Sequence, residues 1–169
     1  RQCSAEQMPF IKKKFPSYDQ FAQANLIEIY GPQPLQQSLH YQATNFRSSY
    51  VENLGNGEFR ISPLPVEAQL SAIQDILIDD FNGDGHLDAL TAGNLFVSEV
   101  ETPKNDAGLG CLLLGDGAGH FTALPPRRSG VYLPFDIRHL AFVEGADTEK
   151  RTLLAVPNND QVQVLWADR

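Results

Sequence analysis

AIQDILIDDFNGDGHLDALTAGN, residues 72–94, sets an apolar run, a polar loop and a second apolar run in one short span. Ile76, Leu77 and Ile78 are continuous, as expected of a strand covered on both faces, and the ALTAG stretch after the loop also reads as a strand. The same order recurs in FDIRHLAFVEGADTEKRTLLAVPNND, residues 135–160. Superposition needs no gap: Ile73 meets Ile137, Asp80 meets Glu144, Asp88 meets Thr152 and Asn94 meets Asn158, each pair 64 positions apart. A period of this size marks stacked or radially arranged supersecondary units.

Glycine hairpins flank the first of these segments. SYVENLGNGEFRISPLP, residues 49–65, carries Asn56-Gly57, which supplies the positive φ angles of a tight turn. CLLLGDGAGHFTALPP, residues 111–126, turns at Gly115-Asp116-Gly117-Ala118-Gly119, and the aromatics Phe59 and Phe121 that follow the two turns lie 62 positions apart. Each unit thus reads as four strands, an inner pair around the polar loop and an outer glycine hairpin, which is the blade of a β-propeller. Residues 48–65 finish one blade, 72–126 make a whole one and 135–169 begin a third. The expected fold is mainly β: a partial β-propeller of about two and a half four-stranded blades, with an N-terminal α-helical segment. Closed propellers hold typically four to eight blades, so the chain, which starts at Arg1 without Met, is expected to be a fragment. Its open blade edges would favour self-association or a cap from the N-terminal helices.

The first third has a different grammar. Tyr18, Phe21, Ala22, Asn25, Leu26 and Ile29 recur at helical steps, predicting one amphipathic helix between the Pro16-Ser17 start signal and Gly31. Pro32 and Pro34 interrupt it, and LQQSLHYQA predicts a second short helix. The domain reading is therefore a helical or irregular segment over 1–47 and propeller blades over 48–169.

DFNGDGHLD, residues 80–88, places oxygen donors on alternate positions. Asp80, Asn82 and Asp84 fall at positions 1, 3 and 5, the His86 backbone carbonyl at 7 and Asp88 at 9. Three carboxylates suit a hard divalent cation, and calcium tolerates such an irregular oxygen shell better than magnesium does. Gly85 sits where a sharp turn is needed, and Leu87 is expected to pin the loop to the core. Position 12 is Thr91 and the flanks read as strands, which disfavours an EF-hand. The competing reading is an Asx-turn loop that holds no metal.

The Asp-x-Asn-x-Asp-Gly-x-x-Asp loop between strands, with Leu-Gly-Asp-Gly-x-Gly-x-Phe in the following hairpin, resembles the FG-GAP or VCBS repeat of integrin α-chain propellers and secreted bacterial propeller proteins. The resemblance covers about residues 48–169. It implies Ca2+ on Asp80, Asn82, Asp84, the carbonyl of His86 and Asp88, and an extracellular, cell-surface or periplasmic location. The second loop departs from the pattern, since Glu144, Ala146, Thr148 and Thr152 replace the ligand positions, and no metal is expected there.

Composition narrows the function classes. Thirteen Lys and Arg against 21 Asp and Glu leave a net charge of -8, which disfavours nucleic acid and anionic membranes. Lys12, Lys13 and Lys14 form a basic run too short for a nucleic-acid arm. No apolar stretch approaches the ~20 residues that span a bilayer, so direct membrane insertion is not expected. Two distant cysteines, Cys3 and Cys111, make neither a zinc site nor a disulfide framework; a buried free Cys111 is expected. His40, His86, His120 and His139 lack paired metal spacing, and Ser48-Ser49 and Ser129-Gly130 lack a nucleophile elbow. Residues 97–110 form an acidic connection between inner and outer strands, and Trp166 reads as blade core rather than a sugar platform. The expected function is a non-enzymatic calcium-binding segment that serves as a binding or scaffold module for a protein or glycan partner. The alternative is an accessory propeller part of a larger secreted enzyme.

Overall fold

The computed structural model describes residues 1–143 and 150–168. It divides into two compact units, Arg1–Asn45 and Phe46–Arg169. The second unit is mainly β, with nine strands in three antiparallel sheets among the described residues.

Five short helices make up the first unit: α1 (Gln2–Gln7), α2 (Phe10–Lys14), α3 (Tyr18–Gln23), α4 (Leu26–Tyr30) and α5 (Pro32–Gln37). The single helix predicted over 18–30 is two, because Asn25 starts a new one. Its side chain accepts from the Glu28 N–H at 2.9 Å while Glu28 Oε2 accepts from the Asn25 N–H at 2.8 Å, a reciprocal cap that outcompetes helix continuation at Ala24. Ser17 and Gln20 cap α3 in the same way. The second predicted helix is shifted, starting at Pro32 and stopping at Ser38. Ala5, Ile11 and Ile29 form the small core of this unit.

In the second unit β1 (Ser49–Gly55) and β2 (Glu58–Pro63) form the first sheet. The second sheet is a four-stranded meander of β3 (Ile73–Asp79), β4 (Asp88–Gly93), β5 (Cys111–Gly115) and β6 (Phe121–Leu124). The third contains β7 (Ile137–Val143), β8 (Lys150–Pro157) and β9 (Gln163–Asp168). A 3-10 turn, Val66–Gln69, precedes β3, and α6 (Pro126–Ser129) precedes β7.

The sequence period is a structural one. Ile73 pairs with Gly93 and Ile137 with Pro157, Leu77 with Leu90 and Ala141 with Leu154, and both pairings shift register immediately after their first residue. The Asn94 N–H donates to the Ala72 carbonyl at 3.0 Å and the Asn158 N–H to the Asp136 carbonyl at 2.8 Å, closing both hairpins alike. The glycine hairpins match as well: Gly55 and Gly57 have φ of 85° and 81°, and Gly117 and Gly119 have 72° and 86°.

Strand β4 lies between two cores. Leu90 and Ala92 pack with Leu112 of the same sheet and with Ile137, Leu140, Leu153 and Ala155 of the neighbouring sheet, whereas Ala89 joins Cys111, Leu113 and Ala68 on the opposite side. All six of its residues are buried. The coverage expected on both faces of β3 is only half present. Leu77 packs against the larger core, but Ile76 and Ile78 are 48% and 53% exposed. Trp166 lies in strand β9 as read and pairs with Thr152, yet it is 67% exposed, so it is not core.

Candidate metal centre

The acidic loop, residues 80–87, joins β3 to β4, and its shape comes from short-range hydrogen bonds. Asp80 Oδ1 accepts from the N–H groups of Gly83 and Asp84 at 2.8 and 3.2 Å, and Oδ2 accepts from Gly85 at 2.9 Å. Such a curl needs left-handed backbone at Gly83 and Gly85, whose φ angles are 73° and 87°. Asn82 Oδ1 accepts from the Asp84 N–H at 3.0 Å, its amide donates to Asp84 Oδ2 at 2.8 Å, and Asp84 Oδ1 accepts from the His86 N–H at 2.8 Å. The His86 N–H, followed by the Asn82 amide, holds the Asp84 carboxyl below the usual carboxylate range and so keeps it charged.

Asp88 is different in kind. It is fully buried at the start of β4, with Oδ2 accepting from the Phe81 N–H at 3.0 Å and Oδ1 from the Gly115 N–H at 2.9 Å. It therefore ties the loop to β5. Gly115 permits the approach, because a Cβ there would collide with the Leu87 carbonyl oxygen. Leu87, expected to anchor the loop, is 65% exposed instead; Asp88 and the glycine contact take over that role.

A count of lone pairs tests the fit to calcium. A carboxylate offers about four acceptor sites and an amide or backbone carbonyl oxygen about two. Asp80 uses three, Asp84 and Asp88 two each, and the Asn82 oxygen one. Each of these groups retains acceptor capacity, and every donor atom is a hard oxygen, so the set fits calcium chemistry. Among the described residues no three His, Cys, Asp or Glu side chains are gathered as a metal cluster requires. Binding would therefore require the Asp80, Asp84 and Asp88 carboxylates to turn part of their coordination from backbone donors towards the ion.

Groups from the third sheet support the loop. Arg151 pairs with Asp79, donates to the Asp80 carbonyl at 3.4 Å and stacks over Phe142 with its guanidinium 4.7 Å from the ring centre. Nearby, Asp75 accepts from the Leu140 N–H at 2.7 Å and pairs with His139 at 2.8 Å. Burial pushes the Asp75 carboxyl up, but the Leu140 and Ile76 N–H groups and His139 outweigh it and the net shift is downward. These bridges escaped the sequence reading. Their signal was present at the 64-residue shift, where charged Arg151 stands opposite apolar Leu87.

The other titratable sites are local. In the second glycine turn, the Ala118 N–H, then the His120 N–H and ring, hold the Asp116 carboxyl down at about 2. With a folded value below the unfolded one, the stabilisation is complete above the ordinary carboxylate range and fades as pH falls towards 2. A carbon-detected NMR titration should place the Asp116 midpoint near 2; an ordinary carboxylate midpoint would mean that the turn is open in solution. Cys111 and Cys3 are free thiols; burial, then Glu67, pushes the Cys111 thiol up to about 11, which leaves it unreactive. The connection over 97–110 is pinned at its base by buried Asn94, whose side chain exchanges hydrogen bonds with Gly108 and donates to the Phe135 carbonyl at 3.1 Å. Glu144, Ala146 and Thr148, expected to hold no metal, lie outside the described residues, as do Asp147 and Glu149.

Comparison with known proteins returns no significant match to any protein-family model, curated protein or solved structure.

Proposed function

We propose that this chain is a calcium-stabilised segment of an FG-GAP/VCBS-type β-propeller that serves, without catalysis, as a binding or scaffold module outside the cytoplasm. The second sheet is its complete blade, the first sheet the outer hairpin of the blade before, and the third sheet the blade after. The observation that carries this reading is the shared register of β3–β4 and β7–β8, 64 positions apart, with the Asp/Asn loop on the first of the two hairpins. Asp80, Asn82, Asp84, the His86 carbonyl and Asp88 would hold the ion, which neutralises a loop whose own groups repel one another. Extracellular modules bind calcium at roughly 0.1–1 mM, concentrations found outside cells, which favours an extracellular, cell-surface or periplasmic setting.

Thermal unfolding tests the metal. In calcium at ten to a hundred times the dissociation constant, stability should rise by about 1.4–2.7 kcal/mol over that in chelator. Asp84→Ala should abolish the difference while keeping the strand signature in circular dichroism. Equal melting of the unaltered protein in both conditions would overturn calcium binding.

A further inference from the structure

Asp80 is held by its backbone as well as through its carboxyl. Its N–H donates to Asp79 Oδ1 at 2.8 Å, and Asp79 Oδ2 accepts from Arg151 of β8. The same guanidinium donates to the Asp80 carbonyl at 3.4 Å, so one side chain 71 residues away governs both peptide groups of this residue. Arg151 is itself fixed. It stacks over Phe142, whose ring centre lies 5.8 Å from that of Phe81, the next residue of the loop. Phe81 in turn donates its N–H to buried Asp88.

The charge of Arg151 and its geometry act differently on the loop. Asp79 neutralises the guanidinium, so the pair carries no net charge and exerts little field on the oxygens of Asp80, Asp84 and Asp88. Geometry remains. Asp80 alone accepts from Gly83, Asp84 and Gly85, and the direction of its backbone decides whether its carboxylate reaches all three. A planar guanidinium bonds Asp79 and the Asp80 carbonyl together, which the single ammonium of lysine on its flexible stem does not reproduce. Arg138 of β7 supplies a contrast. It also joins the two sheets, but its bonds go to Gln74 at 3.3 Å and Asp136 at 2.9 Å, away from the loop.

We propose that Arg151 is the positioning residue of the acidic loop: by setting the Asp80 backbone from the neighbouring sheet, it couples calcium affinity to the packing of the second sheet against the third. The coupling is reciprocal, so calcium on the loop also steadies β8. The calcium part of this inference rests on the function proposed above. The positioning part concerns protein contacts alone, and measurement in chelator separates the two.

The test titrates calcium chloride into the full chain by calorimetry and compares Arg151→Lys and Arg138→Lys with the unaltered protein. Arg151→Lys keeps the charge, yet should weaken calcium binding about 10–100-fold, the usual cost of losing a group that orients a metal ligand. Arg138→Lys should leave the affinity unchanged. Hydrogen exchange supplies the second readout. Calcium should slow exchange in Lys150–Pro157 of the unaltered protein but not of Arg151→Lys. In chelator, Arg151→Lys should speed exchange at Gly83, Asp84 and Gly85 while β4 exchanges as before. Equal affinity of Arg151→Lys and the unaltered protein, or an equal loss in Arg138→Lys, would overturn the proposal. An unaltered protein that takes up no calcium overturns the calcium reading instead, and loop exchange in chelator then decides the role of Arg151: identical rates in both proteins would refute it.

Discussion

Replacing Asp88 by alanine is expected to destabilise the second unit by roughly 2–6 kcal/mol, because two backbone N–H groups, each worth about 1–3 kcal/mol when left unsatisfied in a buried place, lose their acceptor together. Those donors belong to Phe81 and Gly115, on opposite sides of the loop junction, so their loss frees the loop from β5 as well as weakening β4. Asp88→Asn should recover part of the loss, since the amide keeps one acceptor oxygen but turns an NH2 towards the other donor. Urea unfolding of the two variants provides the measurement. The loss should persist in chelator, because both hydrogen bonds form without metal. A loss that appears only in calcium would show Asp88 to be chiefly a ligand.

The second large effect is expected at Ile137. It is fully buried in the core between the second and third sheets, and truncation to alanine should cost about 2–5 kcal/mol from lost transfer energy and the cavity left behind. Its counterpart 64 positions earlier, Ile73, is only half-buried at the margin of the smaller core. Ile73→Ala should therefore cost well under half as much, with both variants measured by the same denaturant midpoint shift. Equal losses would mean that the two positions are energetically interchangeable and that the first sheet covers Ile73 better than its neighbours Ile76 and Ile78 suggest.

This contrast shows how far the sequence could be read. Strand order and pairing around residues 72–94 and 135–160 were legible because alternation, glycine turns and an ungapped 64-residue match all agree, and local rules suffice to fix hairpin register. Burial was less legible because it depends on which sheet lies opposite. Ile76, Ile78, Leu87 and Trp166 are apolar residues expected to be covered, yet each is 48–67% exposed. The acidic loop was legible as a chelating pattern, since alternate Asp and Asn define it. The separate duty of Asp88 was not, because it depends on Gly115, 27 residues away, and on the room left where that residue lacks a side chain. In the helical unit the Asn25–Glu28 cap was present in the sequence, but the continuous apolar stripe from Tyr18 to Ile29 concealed it.

The spacing of the two matched hairpins also sets a timetable for synthesis. In the N-terminal unit, Arg1 bonds to Pro16 and Lys14 to Ile29, each across 15 residues, so those contacts can close soon after the segment leaves the ribosome. The second sheet must wait for the third, since Asp75 bonds to Leu140 across 65 residues and Asp79 to Arg151 across 72. At about 5–20 residues per second, that interval lasts roughly 3–14 s. Throughout it Leu77, Leu90 and Leu112 face water without the residues that later cover them. For the nascent chain, this apolar face is the surface on which chaperones and premature association compete.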